Sequence, residues 1–385
     1  MNYKPKVAVI CAYNDSNLGM YSVDLAAREF FSELACEFDL FVAQTSRVRG
    51  ARFLEFLGPK ILLKKFKNYG ALRYRLLRNT NQLSDYTHLV YWGDFISNPV
   101  YGKHNFSELE VRKAHSVDKR LAFQFWRYLF ALSEGKPTPK VLSIGNNLQN
   151  SFQELGGELQ SIIEGFRANF DLFLPRDPCS VKNMADNLGS GAFACRLDQG
   201  MDCAFLLNTP EASKERTQTF CYHFGRSGFQ ETSDAVIKLE KKTGLKGVPL
   251  TNWLNTDPTH ARIVFPRLRR QIAEARFVFT DTYHICVNSM NLNTPVFGVG
   301  RHSSQQKGTL GDFKKKVLFE MVGLSDFYKD ADSETDKQFL ENMVNYITRN
   351  PIIQIDDTRV NGTFAKLNDQ AGSFKEKLKS EILNF

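Results

Sequence analysis

Residues 275–300 constrain the fold of this chain more than any other stretch. Phe277, Val278 and Phe279 form an apolar run ending in polar Thr280 and Asp281, Ile285–Leu292 is patterned as a short helix, and a second apolar run starts after Pro295. Strand, polar corner, helix, strand is the order of a βαβ unit, which requires a parallel sheet covered by helices. That order places Thr280–His284 at the carboxyl end of a strand and the amino end of a helix, where open α/β sheets bind ligands. Unpaired backbone N–H groups at such a corner favour an anion, and His284 can add a proton or a positive charge. The competing reading of His284 is a helix cap or a packed core histidine.

The same alternation runs through the chain. Val7–Ala12, Phe38–Ala43, Thr87–Trp92, Lys140–Ile144 and Phe170–Leu174 read as strands, separated by helical stretches at Ser22–Ala35, Val117–Leu132 and Leu159–Phe166, with Pro178–Leu188 after them. A polar, punctuated segment, Asn208–Thr219, reads as a linker. A second series follows, with strands at Phe220–Phe224, Gly247–Leu250 and the 277–279 run. Its helices are Glu231–Lys242, a stretch over Ala261–Ala275 broken near Pro266, Lys314–Met321, Thr335–Arg349, and a terminal helix over Phe364–Leu383 interrupted around Gly372. The expected architecture is α/β with two Rossmann-like domains, 1–208 and 209–360. Residues 361–385 form a terminal helix that packs back on the first domain.

Composition narrows the function classes. The 42% apolar and 24% charged fractions are those of a soluble globular chain, no apolar stretch reaches membrane-spanning length, and Met1–Lys6 leaves no room for a signal peptide before the first strand. Seven scattered cysteines show neither metal-ligand spacing nor a disulfide framework, so a cytosolic chain with buried thiols is expected. The net charge of +8 is local: residues 47–78 hold ten basic side chains against Glu55 alone. Within that window Phe53, Leu54, Phe56 and Leu57, then Ile61, Leu62, Leu63 and Phe66, recur at helical spacing on either side of Gly58-Pro59. Two short basic amphipathic helices are expected there. They either lie on an anionic membrane at its inner face or pack on the fold with a solvated basic side. No nucleic-acid reader motif accompanies the charge.

Polar residues gather at the ends of the predicted strands. Asn14, Asp15 and Asn17 follow the first; Asp94 and Asn146 follow later ones, and together they form an expected ligand-facing rim. Arg176 and Asp177 follow the 170–174 strand, where Asp177 can cap the next helix. In the second half Arg226 follows a strand, Arg267 lies before the 277–279 run, and Arg301 ends the strand after Pro295. The histidines and carboxylates show no metal-site spacing, so a reaction without metal or cofactor is expected.

Taken in order, Asn14–Gly19, Tyr91-Trp-Gly-Asp94, Leu174–Ser180, Asp198–Leu206 and Thr280-Asp-Thr-Tyr-His284 before Asn293–Val296 resemble the polysaccharide pyruvyl transferase family over residues 7–325. The resemblance implies a GT-B-like pair of domains with the site in the cleft between them. It also implies transfer of a pyruvyl group from phosphoenolpyruvate to a saccharide or lipid-linked saccharide acceptor. Where the family motif most often carries an arginine two residues before the histidine, this chain has Thr282. Under this reading His284, Asp15 and Asp94 are the catalytic candidates. Thr280, Asp281, Thr282, Arg226, Arg267 and Arg301 face the donor, and Asn14, Asn17, Asn146 and Arg176 face the acceptor. The rivals are a nucleotide-sugar-dependent GT-B glycosyltransferase and a saccharide-binding protein without catalysis.

Overall fold

Apolar runs become strands buried on both faces, and the amphipathic stretches between them become the helices that cover those faces. The computed structural model describes residues 4–45, 66–130, 140–189, 195–209, 216–301, 312–331, 334–350 and 358–384. The first sheet contains β1 (Lys6–Cys11), β2 (Glu37–Ala43), β3 (Phe66–Tyr69), β4 (Leu72–Leu77), β5 (His88–Asp94), β6 (Lys140–Asn146), β7 (Leu172–Leu174) and β8 (Arg196–Leu197), in the order β3-β4-β2-β1-β5-β6-β7-β8. All neighbours are parallel except the hairpin partners β3 and β4. In β1 the pleat divides the core cleanly. Val7, Val9 and Cys11 enter one apolar cluster, Ala8 and Ile10 the other, and all five are fully buried.

The second sheet contains β9 (Thr219–His223), β10 (Lys246–Pro249), β11 (Val278–Thr280), β12 (Val296–Gly300) and β13 (Tyr328–Asp330), ordered β10-β9-β11-β12-β13 and wholly parallel. The chain is therefore α/β with two Rossmann-like parallel sheets. Each sheet reverses its strand order once beside its first strand: between β1 and β5, and between β9 and β11. Those are the switch points at which adjacent loops diverge and leave a crevice. The sheets are held together by Leu18 N–H donating to Trp253 O (3.0 Å), Asn255 N–H to Ser16 O (2.6 Å) and Gly70 N–H to Pro258 O (2.8 Å). One apolar cluster is continuous from Val9 and Trp92 to Phe220 and Val278.

Several local expectations change. Of the basic window, residues 46–65, and with them most of the two expected helices, lie outside the described residues. Phe66–Leu77 is a β-hairpin turning at Gly70, whose φ is +57°. Within it Arg75 pairs with Asp39 (2.9 Å) and Arg73 lies over the Phe66 ring (3.8 Å). No helix among the described residues is long and apolar enough to cross a membrane. Ala261–Glu274 is one helix through Pro266, not two. Losing a backbone bond there costs roughly 3 kcal/mol. Burying Ala261, Phe265, Leu268 and Ile272 outweighs it, because each large side chain contributes about 1.5–3 kcal/mol.

The helix Thr358–Leu383 likewise runs unbroken through Gly372. It is fixed by buried Phe364, Leu367, Phe374, Leu378 and Ile382. It packs on the first sheet's side of the molecule: Glu381 accepts two bonds from Arg196 (2.9 and 2.5 Å), and Lys375 pairs with Glu33 (2.7 Å).

Candidate active site

Both switch points open onto one cavity of about 480 Å³. From the first sheet it is lined by Tyr13, Asn14, Asp15, Ser16 and Asn17 after β1, and by Asp94 and Phe95 after β5. From the second it is lined by Gly225 and Arg226 after β9, and by Asp281–His284 after β11. Asp312, Lys314 and Lys315 complete that wall, and Arg112 and Lys113 stand at the rim. Two Rossmann-like domains with their strand ends facing across a cleft define the GT-B class of architecture.

The corner Thr280–His284 is wired to its own sheet. Asp281 does not offer its carboxylate to a ligand: it accepts N–H bonds from Gly225 (3.1 Å), Arg226 (2.8 Å) and Ser227 (2.8 Å). A loop of successive N–H groups is an anion cradle, and Asp281 fills it. Thr280 is buried and donates to His223 O (2.8 Å), which removes it from the donor site. Thr282 donates to Asp281 Oδ1 (3.0 Å), lies 3.0 Å from His223 Nδ1, and still lines the cavity.

His284 lies across the cleft against the helix Leu18–Glu33. A Cβ at Gly19 would come within 2.6 Å of the His284 Cβ, so the glycine that closes the Asn14–Gly19 motif makes room for the ring. Among the described residues Nε2 of His284 has no hydrogen-bond partner, and it stands 3.9 Å from Asp202 Oδ2. Burial pushes the imidazole down to about 3, against the nearby Asp202 carboxylate. In the free site it is therefore a neutral acceptor and not the positive charge that the sequence allowed. An entering anion would raise its proton affinity.

Arg176 is 2% exposed and lies beneath the cavity, with its guanidinium 3.2 Å from Asp202, 3.8 Å from Asp94 and 4.4 Å from the centre of the Tyr283 ring. The expected acceptor contact is thus a buried ion-pair hub that orients Asp94. Burial holds the Asp94 carboxyl above its usual range, with Arg176 opposing the shift. Asn146 is likewise structural, accepting from Ser97 N–H (2.9 Å) and donating to Tyr91 O (3.0 Å). Asn14 accepts from Ser16 N–H (3.1 Å) and Asn17 from Gly19 N–H (2.9 Å), but both border the cavity.

Two of the three expected donor arginines are elsewhere. Arg267 is exposed on the helix Ala261–Glu274 and does not line the cavity. Arg301 donates to Ser227 O (3.1 Å), pairs with Asp336, and stacks on Phe229 (4.6 Å). Arg226 does line the cavity, and its guanidinium has no partner among the described residues.

The sequence reading missed Lys314, which ends half-buried in the same wall. A signal was present. Lys314, Lys315 and Lys316 stand in the first turn of the helix Phe313–Met321, where the helix dipole disfavours cations. Lys315 is neutralised by Asp312 (2.8 Å) and donates to the Asp281 carbonyl. Burial pulls the Lys314 ammonium down to about 8. Among the described residues no group of three His, Cys, Asp or Glu is placed to hold a metal ion.

No family model and no curated protein matches the chain. Among solved structures it is similar to a putative UDP-N-acetylglucosamine 2-epimerase from Listeria monocytogenes (10% identity, TM-score 0.48, covering 98% of this chain and 97% of that one). It is similar also to the Neisseria meningitidis UDP-GlcNAc 2-epimerase bound to UDP-GlcNAc (10%, 0.46, 97% and 99%). A third is Anabaena HepE in complex with UDP and glucose (10%, 0.44, 99% and 100%). At these identities and TM-scores the similarities carry no argument about chemistry.

Proposed function

We propose that this chain is a transferase that moves a pyruvyl group from phosphoenolpyruvate to a pair of saccharide hydroxyls. One observation carries the reading: Asn14–Asn17, Asp94 and Thr282–His284, from three of the motifs behind the resemblance and up to 270 positions apart, meet around one cavity, where Arg226 and Lys314 share the wall of Thr282–His284. A compact donor with phosphate and carboxylate groups suits side-chain cations. The Gly225–Ser227 cradle, which could hold a diphosphate, is already filled by Asp281.

The chemistry requires a proton on the methylene carbon of the donor, attack of a hydroxyl oxygen on the adjacent carbon, and loss of phosphate as the second hydroxyl closes the ketal. Each hydroxyl gives up one proton. Asp94, whose carboxyl burial holds above its usual range, and neutral His284 are the groups placed to exchange these protons. Arg226 and Lys314 neutralise the developing phosphate charge. Asp15 faces the acceptor side.

The test is phosphate release from phosphoenolpyruvate with a mixed cell-surface glycan extract as acceptor, run beside thermal protection by phosphoenolpyruvate and by UDP. Saccharide-dependent release supports pyruvyl transfer. Protection by UDP with no release moves the protein to the second reading, a nucleotide-sugar glycosyltransferase, for which the GT-B architecture is the supporting observation. Binding of saccharide with neither outcome leaves a non-catalytic saccharide-binding protein.

A further inference from the structure

Lys314 is placed against every local preference of a lysine. It is half-buried, it lies at the positive end of a helix, and its ammonium has neither an ion pair nor a hydrogen-bond partner among the described residues. Its Nζ is 5.4 Å from the centre of the Phe95 ring and 5.5 Å from that of Tyr283. The Arg176 guanidinium shares those two rings, at 5.7 and 4.4 Å. Phe95 follows β5 of the first sheet and Tyr283 follows β11 of the second, so two cations share one aromatic seat that spans the cleft. Arg176 is offset by Asp202 (3.2 Å), Asp94 (3.8 Å) and Asp177 (3.9 Å), whereas the carboxylate acting on Lys314 is Asp94, which Arg176 already holds.

We infer that Lys314 is a substrate-contacting residue whose ammonium binds a phosphoryl or carboxylate oxygen of the donor, with Arg226 as the second arm. This rests on the reading above only in requiring that an anion enters the cavity. The groups facing Lys314 are Asp94 after β5, Arg176 after β7, Arg226 after β9, His284 at the start of the helix Tyr283–Asn291, and Lys315 on its own helix. All but Asp94 are cationic or neutral, and Arg176 holds Asp94, so positive charge exceeds negative around Lys314 until ligand enters. Anion binding then draws a proton onto Lys314 wherever the free amine is partly neutral. Affinity therefore falls as pH rises through about 8.

The experiment is isothermal titration of the full chain with inorganic phosphate and, separately, with phosphoenolpyruvate. Wild type, Lys314→Arg and Lys314→Met are compared near neutrality and above the lysine transition, in buffers of different ionisation enthalpy. Wild type is expected to take up a proton on binding in the alkaline range. Lys314→Arg binds without that uptake, and Lys314→Met binds about tenfold or more weakly, as expected for loss of one charge-assisted bond. The unliganded Lys314→Met protein should melt no lower than wild type, because an unpaired cation has been removed.

Equal affinity of Lys314→Met and wild type overturns the inference. So do proton uptake that persists in Lys314→Arg, a lower unliganded melting point of Lys314→Met, or failure of wild type to bind either anion. Lysine-dependent phosphate binding with no pyruvyl transfer upholds the inference while the functional reading falls. Pyruvyl transfer with unaltered donor affinity in Lys314→Met does the reverse.

Discussion

The two strand-end edges that face each other across the cleft carry opposite residual charge. On the first edge the arginine is consumed: Arg176 is buried against Asp202 and Asp94, and the strand-end groups left at the cavity are Asp94, Asp15 and two asparagines, with Arg112 and Lys113 farther along the chain at the rim. On the second edge the carboxylates are consumed, Asp281 by three backbone N–H groups and Asp312 by Lys315 and Ser227, and Arg226 and Lys314 are left. A site made this way separates its tasks. The carboxylate edge can accept protons from hydroxyls, and the cationic edge can hold an anionic donor. Counting charges near the cavity would show near-neutrality and miss the division, which depends on which charges are already paired.

Breaking the carboxylate edge should have the largest effect. Asp94→Asn is expected to lower kcat by about 10²–10⁴ while donor affinity, read by titration, changes little. A loss confined to KM would move Asp94 to the donor side.

Next comes the charge beneath that edge. Asp24 is fully buried, accepts a bond from the Tyr74 hydroxyl (2.8 Å), and has its carboxyl pushed up to about 7 by burial. Its native value lies above its unfolded one. Its contribution is therefore fully present below the ordinary carboxyl range and is lost as pH rises through 7. Asp24→Asn should remove a loss on the order of 4 kcal/mol between acid and mildly alkaline pH in urea unfolding curves. Parallel pH profiles for the two proteins would show that the buried carboxyl is already ionised.

On the cationic edge, Arg226→Met is expected to weaken donor binding about 10- to 100-fold, with saccharide binding unchanged. Equal loss of both ligands would dissolve the distinction between the edges. The smallest effect belongs to Arg267→Ala, which should leave donor affinity unchanged and stability within about 0.5 kcal/mol, because the side chain is exposed away from the cavity.

The sequence exposed the architecture well because continuous apolar runs and polar strand ends are local signals. Val7–Cys11 and Phe277–Phe279 needed no partner to be read. The corner at Thr280–His284 and the loops after β1 and β5 were legible for the same reason. What was not legible was pairing. Arg301 is claimed by Asp336, Arg176 by Asp202, and Asp281 by a loop 54–56 positions away, and nothing local distinguishes a claimed charge from a free one. Lys314 was missed through a different error: three lysines at a helix start were read as an element boundary when their conflict with the dipole was itself informative.

The helix Thr358–Leu383 has a consequence for biosynthesis. Its apolar stripe covers the first sheet's side near the turn Cys203–Leu206 and the helix Tyr283–Asn291, and Glu381 ties it to Arg196. A ribosome that has delivered every strand of the first sheet has still to translate roughly 160 more codons before this cover emerges, on the order of ten seconds or more at ordinary elongation rates. During that interval the nascent N-terminal half carries a bare greasy flank, and a holdase that shields it until release would set the yield of folded protein.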